Sequence, residues 1–124
     1  MTALSIANDS AIIAKSLENA SKLYGISQAD IAKVLHMSNS AFSKAKNQNS
    51  NSFSPDTITG ELALYFIKII RSLDAIYGGN EEICKKWLTN NNNDFDGKKP
   101  LELMRSVKGL VFIMNYLDYY RGRV

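Results

Sequence analysis

The sequence predicts an all-α fold, in which a bundle of short helices is joined by one long helix to a small helical region at the C-terminal end. Two observations carry this prediction. Apolar residues recur at three- and four-residue spacing in successive segments, which is the period of an amphipathic helix. Glycines follow several of these segments, at Gly25, Gly78 and Gly122, where a residue without a side chain ends a helix most easily.

Composition places the chain among ordinary globular proteins. Its 124 residues suffice for one domain, and 45% of them are hydrophobic. The net charge of +3 permits nucleic-acid binding without requiring it. The single cysteine, Cys84, excludes an internal disulfide and fits a cytoplasmic protein. The most apolar run, Leu110 to Met114, is too short to span a membrane, and we expect no secretory signal.

The first helix is expected over residues 10–24, capped by Asp9 or Ser10 after a loose start at residues 1–8. Its apolar positions have the spacing of one helical face. They are Ile12, Ile13, Leu17, Ala20, Leu23 and Tyr24.

Two short helices are expected between Ser27 and Gln48, with His36 in the turn that separates them. Ser27 and Ser38 can each cap one helix by accepting backbone amide hydrogens. The small residue Ala32 stands where the two helices must cross, so the second can approach closely. This is the arrangement of a helix-turn-helix. The residues predicted to face inward are Ile31, Ala32, Leu35, Phe42 and Ala45.

The second helix of this pair would present polar side chains outward, of a length suited to base edges and phosphates. With the residue that opens the first helix, they form the candidate DNA-binding set. The set is Gln28, Ser38, Asn39, Ser40, Ser43, Lys44 and Asn47. Packing alone is the alternative, because short amphipathic helix pairs are common.

A long helix is expected after the polar loop from Gln48 to Pro55, capped by Asp56 or Thr57 and stopped by Gly78-Gly79. Its apolar stripe predicts a spine shared by both halves of the chain. The predicted division is therefore 1–55 for the helix-turn-helix domain, 56–79 for the linking helix and 80–124 for the C-terminal domain. The stripe comprises Ile58, Leu62, Tyr65, Phe66, Ile69, Ile70, Leu73, Ile76 and Tyr77.

Three more helices are predicted in the C-terminal domain, over 81–88, 100–105 and 108–121, with residues 90–99 as a loop. Asn80 and Ser106 can cap the first and last of them. Gly109 allows a close backbone approach in the first turn of the last helix. The first of the three would turn Ile83, Cys84, Trp87 and Leu88 inward, with Trp87 as a core anchor.

The last helix has an unusually wide apolar arc, of about 220° at about 100° per residue, whereas a surface helix needs a stripe of about 100°. The part that its own core does not cover requires another copy or another protein. The alternative is a small fold that buries the helix deeply. The arc comprises Leu110, Phe112, Ile113, Met114, Tyr116, Leu117, Tyr119 and Tyr120, with only Val111, Asn115 and Asp118 opposite.

No pattern of catalytic or metal-binding residues is recognisable. His36 is the only histidine, and Cys84 lies on an apolar face. Neither a His/Cys cluster of metal-binding spacing nor a phosphate-binding loop is present in the sequence. We therefore expect no enzymatic activity, no metal and no cofactor.

The stretch from Ser27 to Gln48 resembles the helix-turn-helix of the Xre/Cro repressor family, through Ser27-Gln28, Ala32 and Phe42. It departs from that family at His36, where glycine is usual. Its second helix has no arginine, and its cations are Lys44 and Lys46. The resemblance therefore implies DNA binding, and the departures leave weak or lost binding open.

The C-terminal half resembles the MbcA/ParS/Xre antitoxin family in the order of several short motifs. The resemblance implies an antitoxin of a type II toxin–antitoxin module, which neutralises a RES-domain toxin that hydrolyses NAD or transfers ADP-ribose from it. It also implies a homodimer that represses its own operon. The motifs are Tyr77-Gly78, Trp87-Leu88, Gly97, Pro100-Leu101, Gly109, Ile113, Leu117 and Gly122.

The positions that correspond to the family's toxin-binding region lie at the end of the chain. They are Phe112, Tyr116, Tyr119, Tyr120, Arg121, Gly122, Arg123 and Val124. A solubilising tail is the alternative for the last four residues. For the whole chain, the alternatives are a stand-alone transcriptional regulator without a toxin and a toxin inhibitor that has lost its affinity for DNA.

Overall fold

A computed structural model of the chain describes the backbone of residues 3–47 and 51–122, and side chains from Asp9 onward within those ranges. The prediction of an all-α fold is confirmed, because this part of the chain is mostly helical and has no strand beyond an isolated bridge between Asn92 and Lys98. The helices are α1 (Ala3–Tyr24), α2 (Gln28–Val34), α3 (Asn39–Asn47), α4 (Ile58–Ile76), α5 (Glu81–Thr89), α6 (Pro100–Leu103) and α7 (Val107–Arg121), with a 3-10 turn at Asn93–Phe95.

The long helix α4 is the spine of the fold, packed against α1 on one side and against α7 on the other. Two hydrogen bonds hold α1 to α4 and to the loop that precedes it. In the first half of α1, the Ser10 hydroxyl accepts the Phe53 N–H of that loop at 3.1 Å. At the end of α1, the Tyr24 hydroxyl donates to Asp74 of α4 at 2.5 Å. Because the first contact lies before α4 and the second lies near its end, α1 and α4 run side by side in the same direction.

The helix-turn-helix forms as the sequence predicts. The Ser27 hydroxyl accepts the Asp30 N–H at 3.1 Å, and the Ser38 hydroxyl accepts the Ala41 N–H at 3.0 Å, so both cap assignments are confirmed. The residues predicted to face inward are all buried. His36 occupies the turn with a φ of 58°, which is the left-handed conformation that favours glycine.

The last helix is positioned by a close backbone approach. The Ser106 hydroxyl caps α7 by accepting the Gly109 N–H at 3.0 Å. A Cβ atom at Gly109 would lie 1.9 Å from the Leu103 carbonyl oxygen, so only glycine lets α7 start directly against the end of α6. The helix then buries Leu110, Ile113 and Leu117 completely or nearly so.

The prediction for the start of the chain is wrong in one respect. Helix α1 begins at Ala3, so the expected loose start does not apply to residues 3–8, and neither Asp9 nor Ser10 is a cap. Ser10 is 1% exposed and instead binds the backbone of Phe53. A buried hydroxyl needs a hydrogen-bond partner, and the Phe53 N–H supplies one for Ser10 without any helix cap.

Several residues assigned to inward faces are exposed, which corrects the sequence prediction. They are Ile12, Leu23, Ile58 and Ile83. The spacing of apolar residues shows that they share one wide face of a helix. Which part of that face is buried depends on the neighbouring helices. Three boundaries also differ: α6 ends at Leu103, α5 continues to Thr89 and α7 begins at Val107. The predicted loop at 90–99 contains the 3-10 turn and buries Phe95. Part of the loop from Gln48 to Pro55 lies outside the described residues.

None of the described helices is long and apolar enough to cross a membrane.

We predict that Gly109→Ala lowers the free energy of unfolding by about 1–3 kcal/mol, because the added methyl group collides with the Leu103 carbonyl oxygen. Urea denaturation followed by circular dichroism measures the loss. Gly122→Ala is the matched control. A Cβ atom there meets only ordinary contacts of 3.5 and 3.6 Å, so its effect should stay within about 0.5 kcal/mol. Equal stability of the two variants would contradict the close approach.

We predict that His36→Gly raises the free energy of unfolding by about 0.5 kcal/mol. A side chain in the left-handed conformation costs about 1–2 kcal/mol, and this gain exceeds the roughly 0.5–1 kcal/mol of extra chain entropy that glycine loses on folding. Denaturant midpoints of His36→Gly and His36→Ala provide the comparison. The glycine variant must be the more stable of the two, and the reverse order would contradict the turn geometry.

Candidate functional site

The candidate DNA-binding residues lie together on the outer side of the helix-turn-helix. All seven of them are exposed. Phe42 and Ala45 turn the opposite side of α3 into the core, and this fixes the helix so that its polar face points to solvent. The Ser38 hydroxyl is already engaged as the cap of α3, so its remaining capacity is smaller than that of Ser40 or Ser43.

The positive charge of this surface is modest. Lys44 is exposed, whereas Lys46 is partly buried and holds its ammonium group 5.8 Å from the centre of the Phe42 ring. Such a cation–π contact stabilises the ammonium group at that place and competes with a contact to phosphate. The face of α3 therefore carries more hydroxyl and amide groups than cations.

The second candidate surface is an aromatic patch on the C-terminal domain, which we define as Trp87, Phe95, Phe112, Tyr116, Tyr119 and Tyr120. Tyr116 is its centre. The Tyr116 ring lies 4.8 Å from the Phe95 ring, 4.7 Å from the Tyr120 ring and 6.4 Å from the stacked Trp87 ring. These are the offset and edge-on geometries that aromatic rings prefer. The patch is therefore a packed and pre-organised unit.

A hydrogen bond fixes the centre of the patch. The Tyr116 hydroxyl donates to the Asp94 carboxylate at 2.8 Å, across 22 residues of chain. Burial, reinforced by this hydrogen bond, raises the pKa of Tyr116 above its ordinary value. The phenol is therefore neutral at physiological pH and remains a donor. Asp94 is held in turn by the 3-10 turn, where its N–H binds the Asn92 side chain at 2.9 Å.

The candidate toxin-binding residues lie partly within this patch. Phe112, Tyr119 and Tyr120 are 52%, 57% and 43% exposed, whereas Tyr116 is half-buried. Arg121 and Gly122 follow them and are exposed. Arg123 and Val124 lie outside the described residues. The patch thus leaves apolar surface uncovered along one side of α7.

Sequence reasoning missed two members of the patch. Trp87 was assigned to the core, and it is half-buried with its ring stacked on Tyr116. Phe95 was assigned to a loop, and it is 5% exposed beneath Phe112 and Tyr116. The available signal was the isolation of an aromatic residue between Asp94 and the turn at Asp96-Gly97. An aromatic side chain within a polar loop indicates packing against the core.

A cavity of about 340 Å³ lies at the edge of the aromatic patch. Phe95, Leu103 and Phe112 form its apolar walls, and Lys98 and Lys108 stand at its rim. An aromatic or aliphatic side chain from another protein would fit a hollow of this kind. The patch and the cavity together form one continuous surface, since they share Phe95 and Phe112.

His36 and Cys84 are the two side chains of potential reactivity that the sequence singles out. His36 is exposed in a turn, and no three metal-ligating side chains are grouped in the ranges 3–47 and 51–122. Cys84 is completely buried, and burial raises the pKa of its thiol, so the reactive thiolate is disfavoured. The exposed surfaces are suited to binding.

Comparison with known families divides the chain into two matched segments. Residues 7–68 match the antitoxin Xre-like helix-turn-helix domain. Residues 72–123 match the antitoxin Xre/MbcA/ParS C-terminal toxin-binding domain. No curated protein matches the chain. Both matched domains suggest a regulator that is not an enzyme. The chain belongs to the Xre/MbcA/ParS family, as an antitoxin of a toxin–antitoxin system with a helix-turn-helix and a C-terminal toxin-binding domain.

Proposed function

We propose that this antitoxin neutralises a RES-domain toxin that consumes NAD, and that it represses its own operon by binding operator DNA as a homodimer. The observation that carries the proposal is the exposed aromatic patch on the toxin-binding domain. Rigid aromatic side chains lose little entropy when they are covered, and they dominate the free energy of many protein interfaces.

The toxin would cover the exposed side of α7. Phe112, Tyr119 and Tyr120 present apolar rings there. Tyr116 contacts the rings of Phe112 and Tyr120 and is itself fixed by Phe95 and Asp94. In this arrangement Tyr116 stabilises the surface, and the three exposed rings make the contact. The adjoining cavity would receive a side chain of the toxin.

The end of the chain would continue this surface toward the active site of the toxin. Arg121 is exposed at the end of α7 and forms no ion pair with another described residue. A guanidinium group pairs with carboxylates through two parallel hydrogen bonds, so Arg121 and Arg123 would bind acidic side chains of the toxin at its NAD pocket. This contact would block access of the substrate.

The proposed division of the chain assigns residues 1–55 to DNA, 56–79 to the link and 80–124 to the toxin. The polar face of α3 would enter the major groove, where its hydroxyl and amide side chains can bind base edges. Two copies are needed to place two recognition helices on a twofold operator about one helical turn apart.

A second candidate function is favoured by the charge of α3. Lys46 is directed at the Phe42 ring, so Lys44 is the one exposed lysine on the described part of that helix. Since phosphate contacts supply much of the affinity for DNA, this scarcity favours an inhibitor of the toxin that binds DNA weakly or not at all.

Co-expression with the neighbouring toxin gene tests the proposal most directly. We expect the toxin alone to arrest growth and to deplete cellular NAD, and the antitoxin to restore both and to co-purify with the toxin. Growth arrest with unchanged NAD would exclude a NAD-consuming toxin. No rescue and no complex would exclude neutralisation.

We predict that Tyr119→Ala and Phe112→Ala each weaken toxin binding by about 2 kcal/mol, or roughly 30-fold in Kd, because each removes an exposed ring from the proposed contact. Calorimetric titration of the toxin measures the loss. Ile58→Ala is the matched control, since Ile58 is 77% exposed at the start of α4 and does not line the adjoining cavity. Thermal unfolding should be nearly unchanged in all three variants. Loss of folding in Tyr119→Ala and Phe112→Ala would instead mean that these rings belong to the core.

We predict that Lys44→Glu, alone or with Ser43→Glu, abolishes operator binding and leaves toxin neutralisation intact, because a carboxylate on the recognition face repels phosphate. A gel shift on the upstream promoter at two salt concentrations provides the measurement, since true phosphate contacts weaken steeply as salt rises. Lys108→Glu changes the same charge on the C-terminal domain and should retain operator binding. Wild-type protein that fails to shift the promoter at low salt would support the inhibitor without DNA binding.

A further inference from the structure

A second groove lies on a different side of the molecule, between α1 and α4. It has a volume of about 200 Å³. Helix α1 contributes Ala20, Leu23 and Tyr24 to its walls, and α4 contributes Ile67 and Ile70. None of these residues belongs to the aromatic patch or to the polar face of α3. The groove is thus a separate surface.

Apolar side chains extend along the two helices that border this groove. Leu23 is 51% exposed and lines the groove itself. Ile12 stands eleven residues earlier, which is about three helical turns, so it lies on the same face of α1. Leu64 of α4 is 40% exposed, one turn before Ile67. Ser16 and Asn19 lie between Ile12 and Leu23 on this face and also line the groove, so the surface mixes apolar and polar side chains, as protein interfaces do.

The charges at the groove are arranged so that the surface is complementary to itself. Arg71 and Asp74 both line it, three residues apart on α4. Arg71 forms no ion pair with any residue that the structure describes, and the Tyr24 hydroxyl occupies one oxygen of Asp74, leaving the other for a second donor. If two copies of α4 meet antiparallel about a point between these residues, Arg71 of each copy faces Asp74 of the other.

We propose that the groove between α1 and α4 is the surface through which two copies of this chain pair about a twofold axis. An isologous contact requires a patch that is complementary to itself, and a cation and an anion placed on either side of the axis satisfy that requirement. The exposed Leu23 side chains would pack across the axis. This proposal rests on the homodimer of the proposed function and assigns its interface.

Pairing through this groove leaves the other surfaces accessible. The opposite side of α4 is already occupied by α7, to which it is also linked by the ion pair of Lys68 with Asp118 at 2.9 Å. The aromatic patch belongs to α5, α7 and the loop between them, so it stays open to the toxin. The polar face of α3 stays open to DNA. One dimer could therefore hold toxin and operator together.

The mass in solution tests the pairing. Light scattering should give wild-type protein at twice the chain mass of 13.8 kDa. Leu23→Glu should raise the Kd of the dimer at least about tenfold, because it places two carboxylates across the axis. Ile58→Glu adds the same charge at an exposed apolar residue outside the groove and should leave the Kd unchanged. A wild-type monomer, or equal effects of the two variants, would overturn the proposal.

A charge exchange identifies the pairing itself. Arg71→Asp alone and Asp74→Lys alone each place like charges opposite one another, so each variant should be mainly monomeric. A mixture of the two restores opposite charges at both contacts and should form a dimer of one copy of each. Circular dichroism checks that Asp74→Lys folds without the hydrogen bond from Tyr24. If it does not fold, the test compares the dimer Kd of Arg71→Asp with that of Arg71→Ala, each measured alone. Arg71→Asp must then be the weaker dimer of the two, and equal strength would overturn the proposal.

The interface and the proposed function fail in distinguishable ways. Toxin neutralisation by Leu23→Glu should equal that of wild-type protein, since the groove is separate from the aromatic patch. If wild-type protein does not neutralise the toxin but the dimer follows the charge exchange, the interface stands without the proposed toxin. If neutralisation holds and the dimer mass is unaffected by these variants, the interface lies elsewhere.

Discussion

Burial of α4 between α1 and α7 is the interaction on which the rest of the structure depends. Ala63, Phe66, Ile69 and Leu73 of this helix are completely buried, so both of its flanks take part in the core. In a folded protein, packing of the apolar faces of a helix supplies most of its stability, rather than intrinsic helix propensity. The same packing sets the position of the helix-turn-helix relative to the toxin-binding domain.

The two domains are therefore parts of one hydrophobic core. Helix α1 contacts α5 directly, and the Lys85 side chain lies against the turn at Gly25. Arg105, just before α7, lies 3.7 Å from Asp30 of α2. This ion pair is partly exposed and contributes little to stability by itself. The continuous apolar packing is what makes the chain a single folding unit, while its binding surfaces remain on different helices.

Each candidate surface consists of side chains that the core leaves out. Helix α7 buries Leu110, Ile113 and Leu117 against α4. Phe112 and Tyr119 lie on the remaining part of its wide apolar arc, so their rings are exposed. Helix α3 buries Phe42 and Ala45 and thereby turns its hydroxyl and amide side chains to solvent. In both helices the buried positions determine the orientation, and the exposed positions are available for a partner.

Local sequence was sufficient wherever a short-range rule decides the structure. The serine and asparagine caps at Ser27, Ser38, Asn80 and Ser106 needed no tertiary information, because each accepts an amide hydrogen three residues later in its own helix. The turn at His36 and the wide arc of α7 were also legible in the sequence, since each depends on residues close together in the chain.

Only the tertiary structure could decide which edge of each apolar face is covered. Leu23 and Ile83 have the spacing of core residues, yet they are exposed because no helix packs over them. Phe95 stands in a polar stretch, yet it is buried because α5 and α7 enclose it. Ser10 was expected to cap α1, and it instead binds a backbone amide 43 residues away. These outcomes depend on long-range packing, for which periodicity along one helix contains no information.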